Sequence, residues 1–320
     1  MKEVLPLVSK PVRYLGQEFN SIRKDPSQVR LKFCLAFPDV YEVGMSHLGI
    51  QILYHILNGK EGVACERVFA PWVDMEQVLR EKGIPLSSLE SSIPLDQLDI
   101  LGFSLQYELC FTNVLNMLDL GRIPFFSKER DERFPLIIAG GPTAFNPEPV
   151  ADFFDAIVIG EGEEIVLEVC DQVLEWKKAK GRKEDLLKSL SRMEGIYVPS
   201  LHLKDRKVRK RFASNLNLFP VPSCPIVPYM KVVHDRLNLE IARGCKRGCR
   251  FCEAGFIYRP YRERSPKHLQ EAIHQLLRRT GYEEVSLLSL SAGDYSFIRP
   301  LLSHLMNQYE SKRWLSLSLP

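Results

Sequence analysis

The sequence lacks a long uncharged apolar run, and its first residues do not form a signal-like segment. We therefore expect no membrane span and a cytoplasmic location. The formal net charge is only +3 over 320 residues, which is too small to require a nucleic-acid partner. No second C-x2-C pair accompanies Cys249 and Cys252, so the usual zinc site of two paired cysteine knuckles is not indicated.

The composition that is present is ordinary for a globular protein, with 45% hydrophobic and 26% charged residues. A chain of this length can form two domains with substantial cores. Four of the eight cysteines stand singly in apolar segments, which predicts that each is a small buried side chain. These four are Cys34, Cys65, Cys110 and Cys170.

The N-terminal half alternates strand-like and helix-like segments. Strand-like apolar runs lie at 31–37, 66–69, 100–104, 136–139 and 156–159, with helical periodicity between them. Gly83 and Gly121 follow two of the helices at positions where a left-handed C-cap is expected. This alternation predicts a doubly wound, Rossmann-like α/β domain over residues 1–175.

The C-terminal half shows a second alternating pattern over residues 235–320. Ser265 and Pro266 are typical of a helix start, and Gly281 of its end. Strand-like runs at 237–242, 285–290 and 315–319 enclose this helix and a second one that begins near Ile298. The order is therefore β-α-β-α-β. Residues 176–234 are predicted to be a linker, with a proline-rich crossing and a hairpin at 197–211 that turns at Asp205 and carries a basic run at 204–211.

Three cysteines share one short loop directly after the strand at 237–242. Cys245, Cys249 and Cys252 stand at C-x3-C-x2-C spacing, so their thiolates can converge on one iron–sulfur cube. The usual cubane has four cysteine ligands. Three leave one iron open, and an open metal position can bind a substrate or cosubstrate. The alternative is a structural zinc site completed by Cys224 or His234.

The cysteine pattern, with Phe251 directly before the last cysteine, resembles the radical S-adenosylmethionine (SAM) superfamily. The resemblance implies a [4Fe–4S] cluster on Cys245, Cys249 and Cys252, whose open iron binds SAM. It also implies one-electron cleavage of SAM to a 5′-deoxyadenosyl radical, with a flavodoxin- or ferredoxin-type reductant. Phe251 would lie beside the adenine, and Asp294 would orient SAM or substrate unless it caps the following helix.

The loops that follow the predicted N-terminal strands extend this resemblance. They are F-P-D-V-Y-E-V-G-M-S-H-L-G at 37–49, G-F-S-L-Q-Y-E at 102–108, A-G-G-P-T-A-F-N-P-E-P at 139–149 and G-E-G-E-E at 160–164. Their order looks like the cobalamin (vitamin B12)-binding-type domain found before many radical SAM cores. Gly140 and Gly141 would permit unusual backbone conformations and close approach of a ligand.

One feature of cobalamin-binding domains is missing. The motif D-x-H-x-x-G, which supplies a histidine ligand to cobalt, is absent, and His47 has no aspartate two residues before it. His47 is either a cobalt ligand or a helix-start histidine with a local hydrogen bond. Cobalamin could bind without a protein ligand to cobalt, or the domain could have lost the cofactor.

The resemblance also implies a fold and a function for the whole chain. Residues 235–320 correspond to the first half of a six-unit (β/α) partial TIM barrel, so we expect a C-terminally truncated chain with little activity alone. The leading hypothesis is a radical SAM enzyme that activates a C–H bond or transfers a methyl or related group. Two alternatives are a radical RNA-modifying enzyme, suggested by the basic hairpin, and a non-catalytic iron–sulfur or zinc protein that binds a partner.

Overall fold

The computed structural model describes residues 2–201, 207–219, 221–309 and 315–319. The chain divides into two compact units. The N-terminal unit comprises Met1–Phe212 with Pro228–Val233, and the C-terminal unit comprises Ala213–Val227 with His234–Pro320. The stretch predicted as a linker therefore contributes residues to both units, and the predicted turn at Asp205 lies outside the described residues.

Strands and helices alternate along the N-terminal unit. In chain order they are β1 (Leu31–Phe37), α1 (Tyr41–Gly44), α2 (Leu48–Gly59), β2 (Val63–Phe69), α3 (Val73–Lys82), β3 (Ile100–Ser104), α4 (Phe111–Leu120), β4 (Leu136–Gly140), β5 (Ala156–Val158), α5 (Ile165–Ala179), α6 (Lys183–Leu190) and β6 (Ile196–Tyr197). The predicted strands are all present, and β1 and β3 have the predicted bounds. The predicted domain boundary at residue 175 falls inside α5.

Strands β1 to β5 form a parallel sheet in the order β2-β1-β3-β4-β5, and β6 extends it as an antiparallel edge strand. The order reverses between β1 and β3. Such a reversal leaves a crevice beyond the carboxyl ends of the two strands, where ligands of doubly wound sheets bind. The prediction of a doubly wound α/β domain is confirmed.

The centre of this sheet is buried on both faces. The burial explains why its strands read as almost continuous apolar runs. The four scattered cysteines lie in the interior of this unit with at most 2% of their surface exposed, as predicted. Burial raises the pKa of each of these thiols, that of Cys170 to about 12.

The two predicted glycine C-caps turned out differently. Gly83 ends α3 in the left-handed conformation, with φ of 61°. Gly121 ends α4 with φ of −81°, so the prediction of a left-handed cap there is wrong. Arg122 takes the positive φ instead, at 58°. A Cβ atom at Gly121 would lie 3.1 Å from the side chain of Leu95, so close packing restricts this position.

The edge strand β2 carries an arginine that is fully buried. Arg67 forms ion pairs of 2.7 Å with Glu18 and with Glu90. The hydroxyl of Tyr41 also donates to Glu18. Burial works to raise the pKa of Glu18, but Arg67 chiefly, and Tyr41 to a lesser extent, leave it below its usual range. The segment that contains Glu18 therefore attaches to the sheet edge through a buried charge network, a geometry in which both partners must be present.

The C-terminal unit contains β7 (Leu237–Glu240), β8 (Ala242–Arg243), α7 (Ala254–Ile257), β9 (Arg262–Glu263), α8 (Pro266–Thr280), β10 (Glu284–Leu288), α9 (Ile298–Tyr309) and β11 (Ser316–Ser318). Strands β7, β10 and β11 form a parallel sheet in the order β11-β10-β7. With α8 and α9 between them, they make the predicted β-α-β-α-β arrangement. Ser265 caps α8 by accepting a hydrogen bond from the His268 N–H, and Gly281 ends the helix with φ of 72°.

The proline-rich stretch is fastened to the C-terminal unit by a buried arginine. Arg264, with 2% of its surface exposed, donates hydrogen bonds to the carbonyls of Leu216 and Phe219 and to Glu240. One buried side chain thus binds two backbone carbonyls of this stretch. In the part of the chain that the structure describes, none of the helices has the length and apolar character needed to span a bilayer.

Candidate functional site

The cysteine loop starts where the first parallel strand of the C-terminal unit ends. It runs from β8 to α7, and β8 is held by antiparallel pairing with β9. Gly244 opens the loop with φ of 91°, and a Cβ atom there would lie only 2.7 Å from the carbonyl oxygen of Tyr258. Only glycine fits this left-handed and crowded position. The sequence therefore fixes where the loop leaves the strand.

The three thiols of this loop are free and reach the surface. Cys245 and Cys252 are half-buried and Cys249 is exposed. Among the described residues, no group of three or more His, Cys, Asp or Glu side chains is gathered closely enough to hold a metal ion. The donor set nevertheless fits an iron–sulfur cluster in its chemistry, because all three donors are accessible thiols on one loop. The loop would have to draw them together around the cluster.

The other cysteine of the C-terminal unit makes a different contact. The sulfur of Cys224 lies 2.8 Å from a guanidinium nitrogen of Arg279, a residue of α8. Cys224 or His234 was the predicted fourth ligand of the alternative zinc site, and the structure gathers neither with the loop cysteines into a metal-binding group within its described ranges.

The residues between Cys245 and Cys249 are joined to the loop after β10. Arg247 donates two hydrogen bonds to Asp294, of 2.7 Å from Nε and 2.6 Å from a terminal nitrogen. Ser291 Oγ also donates to this carboxylate over 2.9 Å. The bonds from Arg247 and Ser291 hold the pKa of Asp294 below its usual range. The structure thus brings Asp294 to the cysteine loop, and there the carboxylate binds Arg247 rather than capping α9.

A second carboxylate, Glu263 of β9, also contacts both the cysteine loop and the loop after β10. Its Oε1 accepts from the Tyr261 hydroxyl at 2.7 Å and from both the backbone N–H and the hydroxyl of Ser296 at 3.0 Å, and Lys246 Nζ lies 3.4 Å away. Burial works to raise the pKa of Glu263, but these partners leave it below its usual range. Lys246 also lies over the ring of Tyr261, 4.2 Å from its centroid.

Further cations near the loop have carboxylate partners of their own. Arg243 forms a bidentate pair with Glu240, at 2.8 and 3.0 Å, and Arg264 reaches the same carboxylate from the interior. The loop is therefore rich in arginine and lysine, yet much of its positive charge is compensated within the unit.

The second half of the loop is held much less. Phe251, the residue predicted to lie beside an adenine, is 92% exposed. Arg250 is exposed as well, and in the described chain no hydrogen bond or ion pair of its side chain is found. The side chain of Phe251 is thus available to a ligand, and its role stays a prediction.

In the N-terminal unit, side chains from the loops after β1 and β3 meet at the point where the strand order reverses. The hydroxyl of Tyr107 donates to Asp39, and this bond raises the pKa of Tyr107 to about 12. Asn113 donates to the carbonyl of Pro38, 2.9 Å away, and so joins α4 to the same loop. The pair of Asp39 and Tyr107 lies at the crevice where a ligand of this fold is expected.

Of the two glycines predicted at this edge, one has the expected backbone conformation. Gly141 has φ of 113°, and a Cβ atom there would lie 2.4 Å from the carbonyl oxygen of Leu105. Gly140 is the last residue of β4 and does not have a positive φ, so the prediction of an unusual conformation is wrong for it. The crowding at Gly141 comes from the backbone of the neighbouring loop. The N–H of Leu105 in that loop also donates a hydrogen bond to the carbonyl of Gly140.

His47 stands at the start of α2, as predicted, but its imidazole does not cap the helix. Its Nδ1 is buried without a hydrogen-bond partner among the described residues. Burial lowers the pKa of His47, while a hydrogen bond with Gln106 works in the opposite direction. The ring packs against Phe37, with 5.6 Å between the ring centroids. The role of His47 towards cobalt stays a prediction.

The described part of the basic run, residues 207–211, is engaged with its own unit. Arg211 pairs with Glu164 and Glu168 of the segment that opens α5, and Arg209 pairs with Glu194. These contacts compensate the positive charge that a polyanion would bind. Residues 202–206 of the predicted hairpin lie outside the described residues.

Sequence reasoning named the loops of both units but missed the pairs within them. Glu263 and the contact between Asp39 and Tyr107 were not predicted. Each pair joins residues that are distant in the sequence, by 17 positions for Lys246 and Glu263 and by 68 for Asp39 and Tyr107. A carboxylate near a basic loop was the available signal for Glu263, but nothing in one sequence identifies its partners.

Part of the N-terminal unit is similar to a known protein family. Residues 49–199 match the family described as radical SAM proteins, N-terminal. An uncharacterised protein of Methanocaldococcus jannaschii is 25% identical over 275 residues, which cover 85% of this chain and 52% of that protein. The sequence relation thus extends beyond the family match.

Two solved structures of TsrM, a radical SAM methyltransferase from Kitasatospora setae, share the fold. One contains cobalamin and a [4Fe–4S] cluster. It has a TM-score of 0.56 and 13% sequence identity, and the match covers 89% of this chain and 53% of the TsrM chain. The other contains tryptophan and a SAM analogue. It has a TM-score of 0.55 and 13% sequence identity, and the match covers 89% of this chain and 54% of the TsrM chain. The chain spans about half the length of the relatives it matches.

Proposed function

Because residues 49–199 match the N-terminal family of radical SAM proteins, we propose that the protein is a radical SAM enzyme whose [4Fe–4S] cluster is held by Cys245, Cys249 and Cys252. The observation that carries this proposal is the position of the three free thiols, on one loop directly after the first strand of a β-α-β-α-β unit. Three cysteine ligands leave the fourth iron open for SAM. When bound, the reduced cluster would supply the electron that cleaves SAM.

The residues around the loop supply binding and charge. The backbone N–H of Arg247 points to the sulfur of Cys245 over 3.5 Å, and such N–H groups stabilise a thiolate-ligated cluster as it gains an electron. Phe251 offers an exposed aromatic face for the adenine, and Asp294 borders the same region. Arg250 is an unpaired cation within the described residues, suited to a carboxylate such as that of SAM.

The N-terminal unit is proposed to bind cobalamin at the carboxyl ends of β1, β3 and β4. Its doubly wound order places a crevice there, and Gly141 with the Asp39–Tyr107 pair lies at this edge. A protein of the same fold contains cobalamin. In this proposal Gly140 and His47 line the pocket, and cobalt has no protein ligand because the D-x-H-x-x-G motif is absent.

With both cofactors bound, the reaction that their chemistry suits is transfer of a methyl or related one-carbon group to an unactivated carbon. The electron is proposed to come from a flavodoxin- or ferredoxin-type protein. The exposed position of Cys249 supports this, because a partner can approach the loop without any opening of the fold.

The test is anaerobic reconstitution of the protein with iron and sulfide, followed by addition of SAM and a reductant. We expect about four iron atoms per chain, an electron paramagnetic resonance (EPR) signal on reduction, a change in that signal with SAM, and formation of 5′-deoxyadenosine at a low rate. Protein that binds zinc and gives no EPR signal after reconstitution would contradict the proposal. Cobalamin binding is tested separately by its visible absorption after gel filtration.

A further inference from the structure

The two spacers of the cysteine motif are held very differently. The first, between Cys245 and Cys249, has two side chains bound to carboxylates of other segments, Arg247 to Asp294 and Lys246 to Glu263. The second, between Cys249 and Cys252, has two exposed side chains for which the described residues provide no ion pair. The loop is therefore anchored on one side only.

The anchors come from two different elements of the C-terminal unit. Asp294 lies in the loop that follows β10, and Glu263 lies on β9, beside the strand that leads into the cysteine loop. The two carboxylates are linked in turn, because Ser296 donates its N–H and hydroxyl to Glu263 from the loop that contains Asp294. The first spacer thus joins a connected network rather than two separate surface pairs.

The geometry makes these contacts stronger than ordinary surface ion pairs. An isolated exposed pair contributes little because side-chain entropy and solvent screening offset the attraction. The Arg247–Asp294 pair is bidentate, and its carboxylate, unlike the arginine, is mostly shielded, with 19% of the side chain exposed against 63%. Glu263 is also mostly shielded, with 18% of its side chain exposed.

We propose that Asp294 and Glu263 are positioning residues, which act through Arg247 and Lys246 to fix the first spacer and present Cys245 in one place. Cys249 and Cys252, which lie on the unanchored side, then move to meet the cluster. The inference rests on the proposed function for the identity of the cluster. The anchoring itself is a property of the chain without iron and is measured without it.

This role differs from direct contact of Asp294 with SAM. A carboxylate that contacts SAM affects SAM binding but has no reason to alter the loop before the cluster is present. A positioning carboxylate alters the loop first and cluster assembly next. The two roles are therefore separated by measurements on the iron-free protein and on the reconstituted protein before SAM is added.

The experiment compares Asp294→Asn and Glu263→Gln with the unaltered protein and with Glu284→Gln. Glu284 forms a 2.9 Å ion pair with Arg236 at the opposite end of β10, so it is a matched control in the same unit. Amide hydrogen exchange is measured on the iron-free proteins. We expect exchange within residues 244–249 to become about fivefold faster in the two variants and to stay unchanged in the control.

The second readout is cluster assembly under limiting iron. We expect Asp294→Asn and Glu263→Gln to take up iron several-fold more slowly and to show a broadened EPR signal, whereas Glu284→Gln behaves as the unaltered protein. The exchanged pair Arg247→Asp with Asp294→Arg is expected to restore slow exchange and normal assembly. A residue needed only for folding would not be rescued by reversing the charges.

Each other outcome contradicts the proposal. Unchanged exchange in 244–249 shows that the carboxylates do not anchor the spacer. Faster exchange with normal iron uptake and EPR signal shows that anchoring does not serve the cluster. Normal values in both measurements, with weaker SAM binding in Asp294→Asn, assign Asp294 to SAM. If the unaltered protein takes up no iron, the proposed function fails, and the exchange experiment still decides the anchoring.

Discussion

The cysteines of the two units show how environment decides the chemistry of one residue type. In the N-terminal unit four thiols lie in the interior of the fold, where burial raises their pKa. In the C-terminal unit three thiols of one loop are half-buried or exposed. A thiol must lose its proton to bind metal or react, which an apolar interior disfavours. The first group serves packing, and only the second is available for a cofactor.

The arginine ion pairs show the same contrast. Arg67 has no exposed side-chain surface and is bound by two carboxylates, whereas the side chain of Arg247 is 63% exposed and is bound by one. If its partner is removed, a buried charge is not solvated by water, whereas an exposed charge is. The first network is therefore expected to determine stability of the fold, and the second to determine the order of a loop.

The largest expected effect is on iron binding. Cys245→Ser, Cys249→Ser and Cys252→Ser are each expected to abolish the [4Fe–4S] signal after anaerobic reconstitution, because a cluster on three thiolates cannot lose one. Cys34→Ser, Cys65→Ser, Cys110→Ser and Cys170→Ser serve as controls and are expected to keep it. Loss of the signal from folded protein after a change at one of the four buried cysteines would contradict the assignment.

The next effect is on thiol reactivity of the iron-free protein. At pH 8, iodoacetamide should modify the loop cysteines readily, while Cys170, whose pKa is about 12, has a thiolate fraction about a thousandfold below that of an ordinary thiol. Raising the pH increases the thiolate fraction and so the rate at both kinds of site. Mass spectrometry of native and denatured samples checks this, and rapid native labelling of Cys170 would refute it.

The contrast between the arginines predicts a difference in unfolding free energy. Arg67→Met leaves two buried carboxylates without their cation, and we expect a loss of about 3–5 kcal/mol. Arg247→Met, the exposed counterpart, should cost far less, because solvent screens the pair. Urea unfolding followed by circular dichroism measures both. Equal losses for the two variants would mean that burial does not set the energy of these networks.

Two glycines that end helices in different units should respond alike. Gly83 and Gly281 have φ of 61° and 72° and open space around them. Alanine at either position should therefore cost about 1 kcal/mol, through backbone strain alone. Gly59, which also has open space but no positive φ, is the control, and Gly59→Ala should be neutral or slightly stabilising. A large loss at one cap only would indicate a contact beyond conformational strain.

The smallest effect concerns the proposed cobalamin pocket and contrasts it with the cysteine loop. If cobalamin binds, His47→Ala should leave its absorption spectrum unchanged, because we expect no protein ligand to cobalt. The measurement is the visible spectrum of the complex and its dissociation constant. A changed spectrum with weakened binding would make His47 the cobalt ligand and overturn this expectation.

The sequence by itself determined where most elements lie and which cysteines belong together. Local patterns correctly predicted the bounds of β1 and β3, the capped start of α8 at Ser265 and the burial of Cys34. The reason is that strand periodicity, capping and apolar runs depend on neighbours within a few residues. The grouping of the three loop cysteines could also be predicted, because their spacing is itself a local pattern.

Only the tertiary structure decided how distant side chains pair and which residue takes a strained conformation. Asp294 was predicted at the site but its partner Arg247 was not, and the left-handed cap expected at Gly121 is found at Arg122. Packing of Leu95 against Gly121 is set by a segment that is remote in the sequence. Such contacts depend on how the whole sheet and its loops come together, and no local pattern encodes them.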